Sequence, residues 1–154
     1  MFVITTKVSK TKLAAAVTIL VALVVLAAVA YAAKTDPPAQ EKPDASTNDG
    51  RVTFLAQFGW DVNAEPVQTV PVTIPEQDSE AFSRYNALQK SQGYDLTAYA
   101  GKKATRYVYE ILNYPEAEEP VYATLLVADG AVIGGDVTDT APGGKMHGFR
   151  LPKA

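Results

Sequence analysis

The sequence predicts an α+β fold: a small antiparallel sheet of 4–5 strands ending in a three-stranded meander, helices packed on one face, preceded by a single transmembrane helix. Three observations carry that prediction. An uncharged apolar run fills residues 13–33. Two stretches, around residues 50–58 and 79–93, space their apolar side chains at helical period. Two β-rich runs flank Asp129-Gly130 near the C-terminal end.

The apolar run comes first. Residues 13–33 read LAAAVTILVALVVLAAVAYAA, with Thr18 the only strongly polar side chain. As a helix they span about 31 Å, enough for a hydrocarbon core of ~30 Å. Lys7, Lys10 and Lys12 precede the run, and only Lys34 follows it directly. That asymmetry predicts residues 1–12 on the cytoplasmic side and the C-terminal domain outside. The alternative is a cleaved signal peptide, since Ala30-Tyr31-Ala32 fits a small-x-small cleavage site. The run is longer than the usual apolar core of a signal peptide, which favours a retained anchor. Either way the rest of the chain is exported, and the expected first partner is the lipid bilayer through 13–33.

Residues 34–47, KTDPPAQEKPDAST, hold three prolines and no large apolar residue. They read as a flexible linker, able to reach about 40 Å when extended. The domain is then expected over 48–154. Its first helix is expected at 50–58, with Thr47 or Asn48 as the cap and Gly59-Trp60 closing its end. Asp61-Val62 and 67–74 look like strands; Pro66 and Pro71 put the second at a sheet edge. The second helix starts between Pro75 and Ser79 and stops at Gly93, with Ala81, Phe82, Tyr85 and Leu88 on its apolar face. A strand over 103–114 places Thr105, Tyr107, Tyr109 and Ile111 on one side. The runs VYATLLVA and AVIGGDV form a hairpin around Asp129-Gly130. The Gly- and Pro-rich tail after Thr138 reads as loop.

Composition excludes several chemistries. There is no cysteine, so there is no disulfide framework, thiolate zinc site or thiol nucleophile. The single histidine, His147, reads as solvated and makes neither a metal site nor a triad alone. From Lys34 onward 11 bases face 17 acids, a net charge of −6. That balance argues against nucleic acid. Gly143-Gly144-Lys145 lacks the Ser or Thr and the leading glycine of a P-loop. Glu116, Glu118 and Glu119 lack calcium-loop spacing. Gly134-Gly135-Asp136 lacks the Glu-Phe that follows in a cyclase signature. No catalytic residue, metal ligand or cofactor is assigned.

Six residues remain as candidates for ligand or partner binding. Gln89 projects into the apolar arc of the second helix and Asn86 lies at its edge. Each pairs with loop or strand backbone, or else lines a cleft, because a buried amide needs partners. Arg106, Tyr107 and Tyr109 share a strand, with Arg106 on the face opposite Tyr107; tyrosines serve equally as binding anchors and as strand residues. Asp136 follows two strand glycines, which need either a bulge, close packing under Tyr107 or Tyr109, or an open groove with Asp136 at its rim. Counting back from the turn sets Gly134 opposite Leu125 and Asp136 opposite Ala123.

The ordered segments Gly59-Trp60-Asp61-Val62, Val72-Thr73-Ile74-Pro75, Tyr85-Asn86-Ala87-Leu88-Gln89, Gly93-Tyr94-Asp95-Leu96, Tyr99-Ala100-Gly101-Lys102 and Val132-Ile133-Gly134-Gly135-Asp136-Val137 resemble a bacterial family of uncharacterised exported domains, domain of unknown function 4830. The resemblance covers roughly 54–148 and implies no activity, cofactor or partner. The functional expectation is a membrane-tethered interaction or sensing module with a protein partner at the cell envelope. The alternatives are a small envelope enzyme using Asp136, or a module acting through oligomerisation at a strand edge.

Overall fold

The computed structural model describes residues 42–76 and 79–151. The expected membrane segment 13–33 and the basic residues before it lie outside the described residues. No helix among the described residues is long and apolar enough to cross a membrane.

The compact unit begins at Lys42. Residues 42–47, read from the sequence as the end of the linker, therefore belong to it. Ala45 is fully buried, and its N–H donates to the Gly130 carbonyl at 2.9 Å. Helix α1 spans Asn48–Ala56, two residues earlier than its predicted start, because Thr47 Oγ1 accepts the Gly50 N–H and caps it there. Helix α2 spans Glu80–Ser91 and is capped in the same way by Ser79 through the Phe82 N–H. Both helices end alike. Gly59 (φ 88°) and Gly93 (φ 89°) adopt the left-handed conformation that closes a helix. The next residue, Trp60 or Tyr94, returns its N–H to the carbonyl of Leu55 or Gln89. A short 3₁₀ turn, Leu96–Tyr99, follows α2.

Five strands form one antiparallel sheet in chain order: β1 Gln68–Thr73, β2 Lys103–Ile111, β3 Val121–Ala128, β4 Ala131–Asp139 and β5 Met146–His147. The whole sheet is thus a meander. Val62, expected in a strand, makes only an isolated bridge to Ile111. β1 is an edge, as Pro71 requires. Ile74 donates its N–H to Lys102, so bonding parity turns position 71 outward. Pro71 therefore lacks a donor only where solvent would take it. Asp129 (φ 50°) and Gly130 (φ 73°) make the two-residue turn between β3 and β4.

Three expectations are corrected here. The helices lie on opposite faces of the sheet, not on one. In β3, Val121, Ala123, Leu125 and Val127 point to one side and pack with Leu55 of α1, Trp60, Tyr109 and Val137. Leu126 and Ala128 point to the other, with Ile74, Leu96 and Ala104, and with Phe82 and Tyr85 of α2 against them. A strand apolar on both faces needs cover on both. Second, the tail is not all loop: β5 pairs with Val137 and Thr138, and Phe149 is 1% exposed. His147 in β5 is buried rather than solvated, bonded to Tyr114 Oη at 3.1 Å and to the Gly148 carbonyl at 2.6 Å.

The third correction is the hairpin register. Ile133 is an extra residue in β4, since Val127 pairs with Val132 but Leu126 pairs with Gly134. Gly135 then faces Leu125, and Asp136 faces Thr124 rather than Ala123. A one-residue bulge moves every following side chain to the opposite face. Asp136 accordingly leaves the α1 side and joins the α2 side.

Candidate functional site

Helix α2 is held to the sheet by amides more than by apolar side chains. Its buried residues are Asn86 and Gln89. Gln89 Oε1 accepts the Gly135 N–H at 2.8 Å, and Gln92 Nε2 donates to the Gly135 carbonyl at 3.0 Å. Gln92 Oε1 accepts the Phe149 N–H at 2.7 Å. Two side chains thus occupy the edge of β4 where β5 does not reach. Asn86 Oδ1 takes the Leu96 N–H, and its amide donates to Asp95. Hydrogen bonds from the Thr97 hydroxyl, the Asn86 amide and the Thr97 N–H hold the Asp95 carboxyl below the usual range.

The glycines of β4 make room for this arrangement. A Cβ on Gly134 would stand 2.9 Å from Gln89 Oε1 and 3.2 Å from a Leu96 methyl. A Cβ on Gly135 would collide with the Thr124 carbonyl and lie 2.5 Å from the Phe149 ring. The close approach expected here is real, but Gln89, Leu96 and Phe149 make it, not Tyr107 or Tyr109.

Helix α2 covers only part of its face. The uncovered remainder is a groove of about 670 Å³ between α2, β1 and the sheet, within the size range of small-ligand sites. Its walls are largely apolar: Val72, Ile74, Phe82, Val108, Leu126 and Met146. Its charged lining residues are Arg106 from β2 and Asp136 from β4.

Asp136 is 4% exposed. Tyr85 Oη donates to its Oδ1 and Thr138 Oγ1 to its Oδ2, both at 2.8 Å. Among the described residues no cation reaches ion-pair distance of it; the two ion pairs, Arg84–Glu80 and Lys90–Asp95, lie on exposed side chains elsewhere. Burial raises the Asp136 pKa, and the two hydroxyl donors, Arg106 and His147 only partly offset that. The same burial, with Asp136 beside it, pushes the Tyr85 phenol upward. Arg106 Nη2 donates to Gln68 Oε1 at 2.7 Å, while its Nε is buried without an acceptor.

A raised folded-state pKa has a definite sign. Below the ordinary carboxylate value, about 3.9, both states hold the proton and no penalty arises. As pH rises through that value the unfolded chain ionises first, so stability falls until the folded carboxyl ionises too, and is level above. The Asp136→Asn variant should remove this fall. The stability difference between wild type and variant, followed by urea unfolding from pH 3.5 to 7, should therefore change across that window. A constant difference would mean that Asp136 ionises normally.

Of the six candidates, Arg106 and Asp136 meet in the groove. Asn86 and Gln89 sit in the joint between α2, the 3₁₀ turn and β4. Tyr107 and Tyr109 lie on the α1 face, where the Arg51 guanidinium stacks 3.7 Å over the Tyr107 ring and its Nε donates to Tyr109 Oη. Sequence reasoning missed Arg51, Tyr85, Gln92 and Thr138. Only Tyr85 left a signal, since a tyrosine on an apolar helix arc needs a partner for its hydroxyl.

The family model described as Domain of unknown function (DUF4830) matches residues 54–137. No curated protein and no solved structure matches the chain. The matched stretch carries α2, Arg106 and Asp136, hence most of the groove.

Proposed function

Since the chain belongs to this DUF4830 family, whose description names no activity, we propose from the site alone that it is a non-catalytic interaction or sensing module. It binds its ligand in the groove between α2 and the sheet, and residues 13–33 display it at the cell envelope. The carrying observation is the pair Arg106 and Asp136, turned into one apolar groove with their charges incompletely matched. Among the described residues lining the groove there is no histidine or lysine to work with Asp136; His147 projects to the opposite face, engaged by Tyr114 and Gly148. The groove's hydroxyl side chains have no histidine or lysine among the lining residues to activate them, which suits recognition better than turnover.

Met146 is 52% exposed at the groove rim. A photo-crosslinking residue placed there in the full chain, in cells, should give an adduct seen by mass. The same residue at exposed Thr53 on α1 should not. Thr124→Trp, which fills the groove floor, should abolish the adduct. Equal adducts with and without Thr124→Trp, or none at Met146, would remove the groove as the functional surface.

A further inference from the structure

Two electrostatic deficits face the same groove. Asp136 is a buried carboxylate with hydroxyl donors but, among the described residues, no cation at ion-pair distance. Arg106 keeps a buried Nε–H without an acceptor on the guanidinium edge whose Nη2 reaches Gln68. A buried carboxylate is costly unless it is paired, and a buried N–H unless it is hydrogen-bonded. Single-charge ligands would answer one deficit and leave the other. From this, resting on the groove as the binding site, we infer that the ligand is a short peptide with both termini free, its ammonium at Asp136 and its carboxylate at Arg106.

The spacing agrees. Arg106 and Asp136 lie on β2 and β4, with β3 between them. Adjacent strands are ~4.8 Å apart, so the two backbones are about 10 Å apart. Their rows are also offset, since Arg106 pairs with Leu126 while Asp136 pairs with Thr124. An extended peptide covers ~3.3–3.6 Å per residue, so a tripeptide matches that backbone spacing. A free amino acid, with both charges on one carbon, is shorter than that backbone spacing, and a long chain exceeds it. The terminal amine is charged at neutral pH, as Asp136 needs, and a carboxylate matches the guanidinium fork. The apolar walls fit small aliphatic side chains between the two ends.

The test uses Ala-Leu-Ala and the full chain in detergent, by calorimetry or NMR shifts. The free tripeptide should bind saturably. N-acetylation and C-amidation should each weaken binding tenfold or more, and Leu alone should bind more weakly than the tripeptide. In Asp136→Asn the penalty for acetylation should vanish while that for amidation persists; Arg106→Gln should show the converse. Blocked peptides binding as well as free ones would overturn the inference without needing either variant. So would absence of saturable binding at millimolar peptide, which would leave water as the bridge between the two groups. If the crosslink at Met146 still forms and depends on an open groove, the binding module stands and only the peptide assignment falls. If that crosslink is insensitive to Thr124→Trp, both fall.

Discussion

Replacing Gly135 with alanine is expected to cost the domain about 3 kcal/mol, the upper range for forcing a methyl into a packed interior. For a domain near a hundred residues that lowers the melting point by roughly 12 °C or more. The new Cβ meets two things that cannot both give way: the Thr124 carbonyl of the neighbouring strand and the Phe149 ring. Shifting β4 away from β3 would carry Gly135 from its other partners, since its N–H is held by Gln89 and its carbonyl by Gln92. Gly134→Ala is the control. Its Cβ meets the ends of Gln89 and Leu96, which can move, so it should cost less than half as much. Trp60 is the only tryptophan of the chain and lies in the core, so its fluorescence follows melting of this domain alone. A Gly135→Ala melting point within about 3 °C of wild type would sink this account of the glycine pair.

What the sequence announced, and what it hid, divide along physical lines. Thr47, Ser79, Gly59 and Gly93 mark helix ends because capping is local chemistry, readable from a few adjacent residues. Asp129-Gly130 and Pro71 work in the same way for the turn and the edge. The Ile133 bulge has no such mark. Counting pairs outward from a turn assumes that neither strand holds an extra residue, and that assumption put Asp136 opposite Ala123. The consequence is large, because the bulge brings Asp136 into the groove with Arg106. A site assembled from β2 and β4 depends on register, and register here depends on one inserted residue. Gln89 was legible as a buried amide that needs a backbone partner, and the Gly135 N–H is that partner. Gln92 was opaque, since nothing on the helix shows that it will meet β4 and Phe149 until the fold brings them alongside. The membrane segment expected over 13–33 lies outside the described residues, and fractionation of the full chain is the measurement that tests it.

The tail was the hardest part to read and should be the most expensive to damage. Phe149→Ala is expected to remove about 4 kcal/mol, in the range for deleting a buried phenyl ring. The ring contacts Phe54, Phe58 and Tyr94 at centroid distances of 5.1, 5.2 and 6.2 Å. It therefore joins α1 to the segment leaving α2. Its backbone is held as well: Trp60 Nε1 donates to the Phe149 carbonyl at 2.6 Å, and the Phe149 N–H donates to Gln92. Each of those bonds contributes about 1 kcal/mol net, so the ring outweighs them together. Alanine keeps the backbone bonds and deletes only the ring, which isolates the larger effect. Phe149→Leu refills much of the space and should recover about half of the loss. Equal melting points for Phe149→Ala and wild type, read from Trp60, would mean that residues beyond the family match are not part of the core. The expected result carries the opposite meaning: residues 54–137 mark where the family is recognisable, while the fold closes only when Phe149 seals the α1 face.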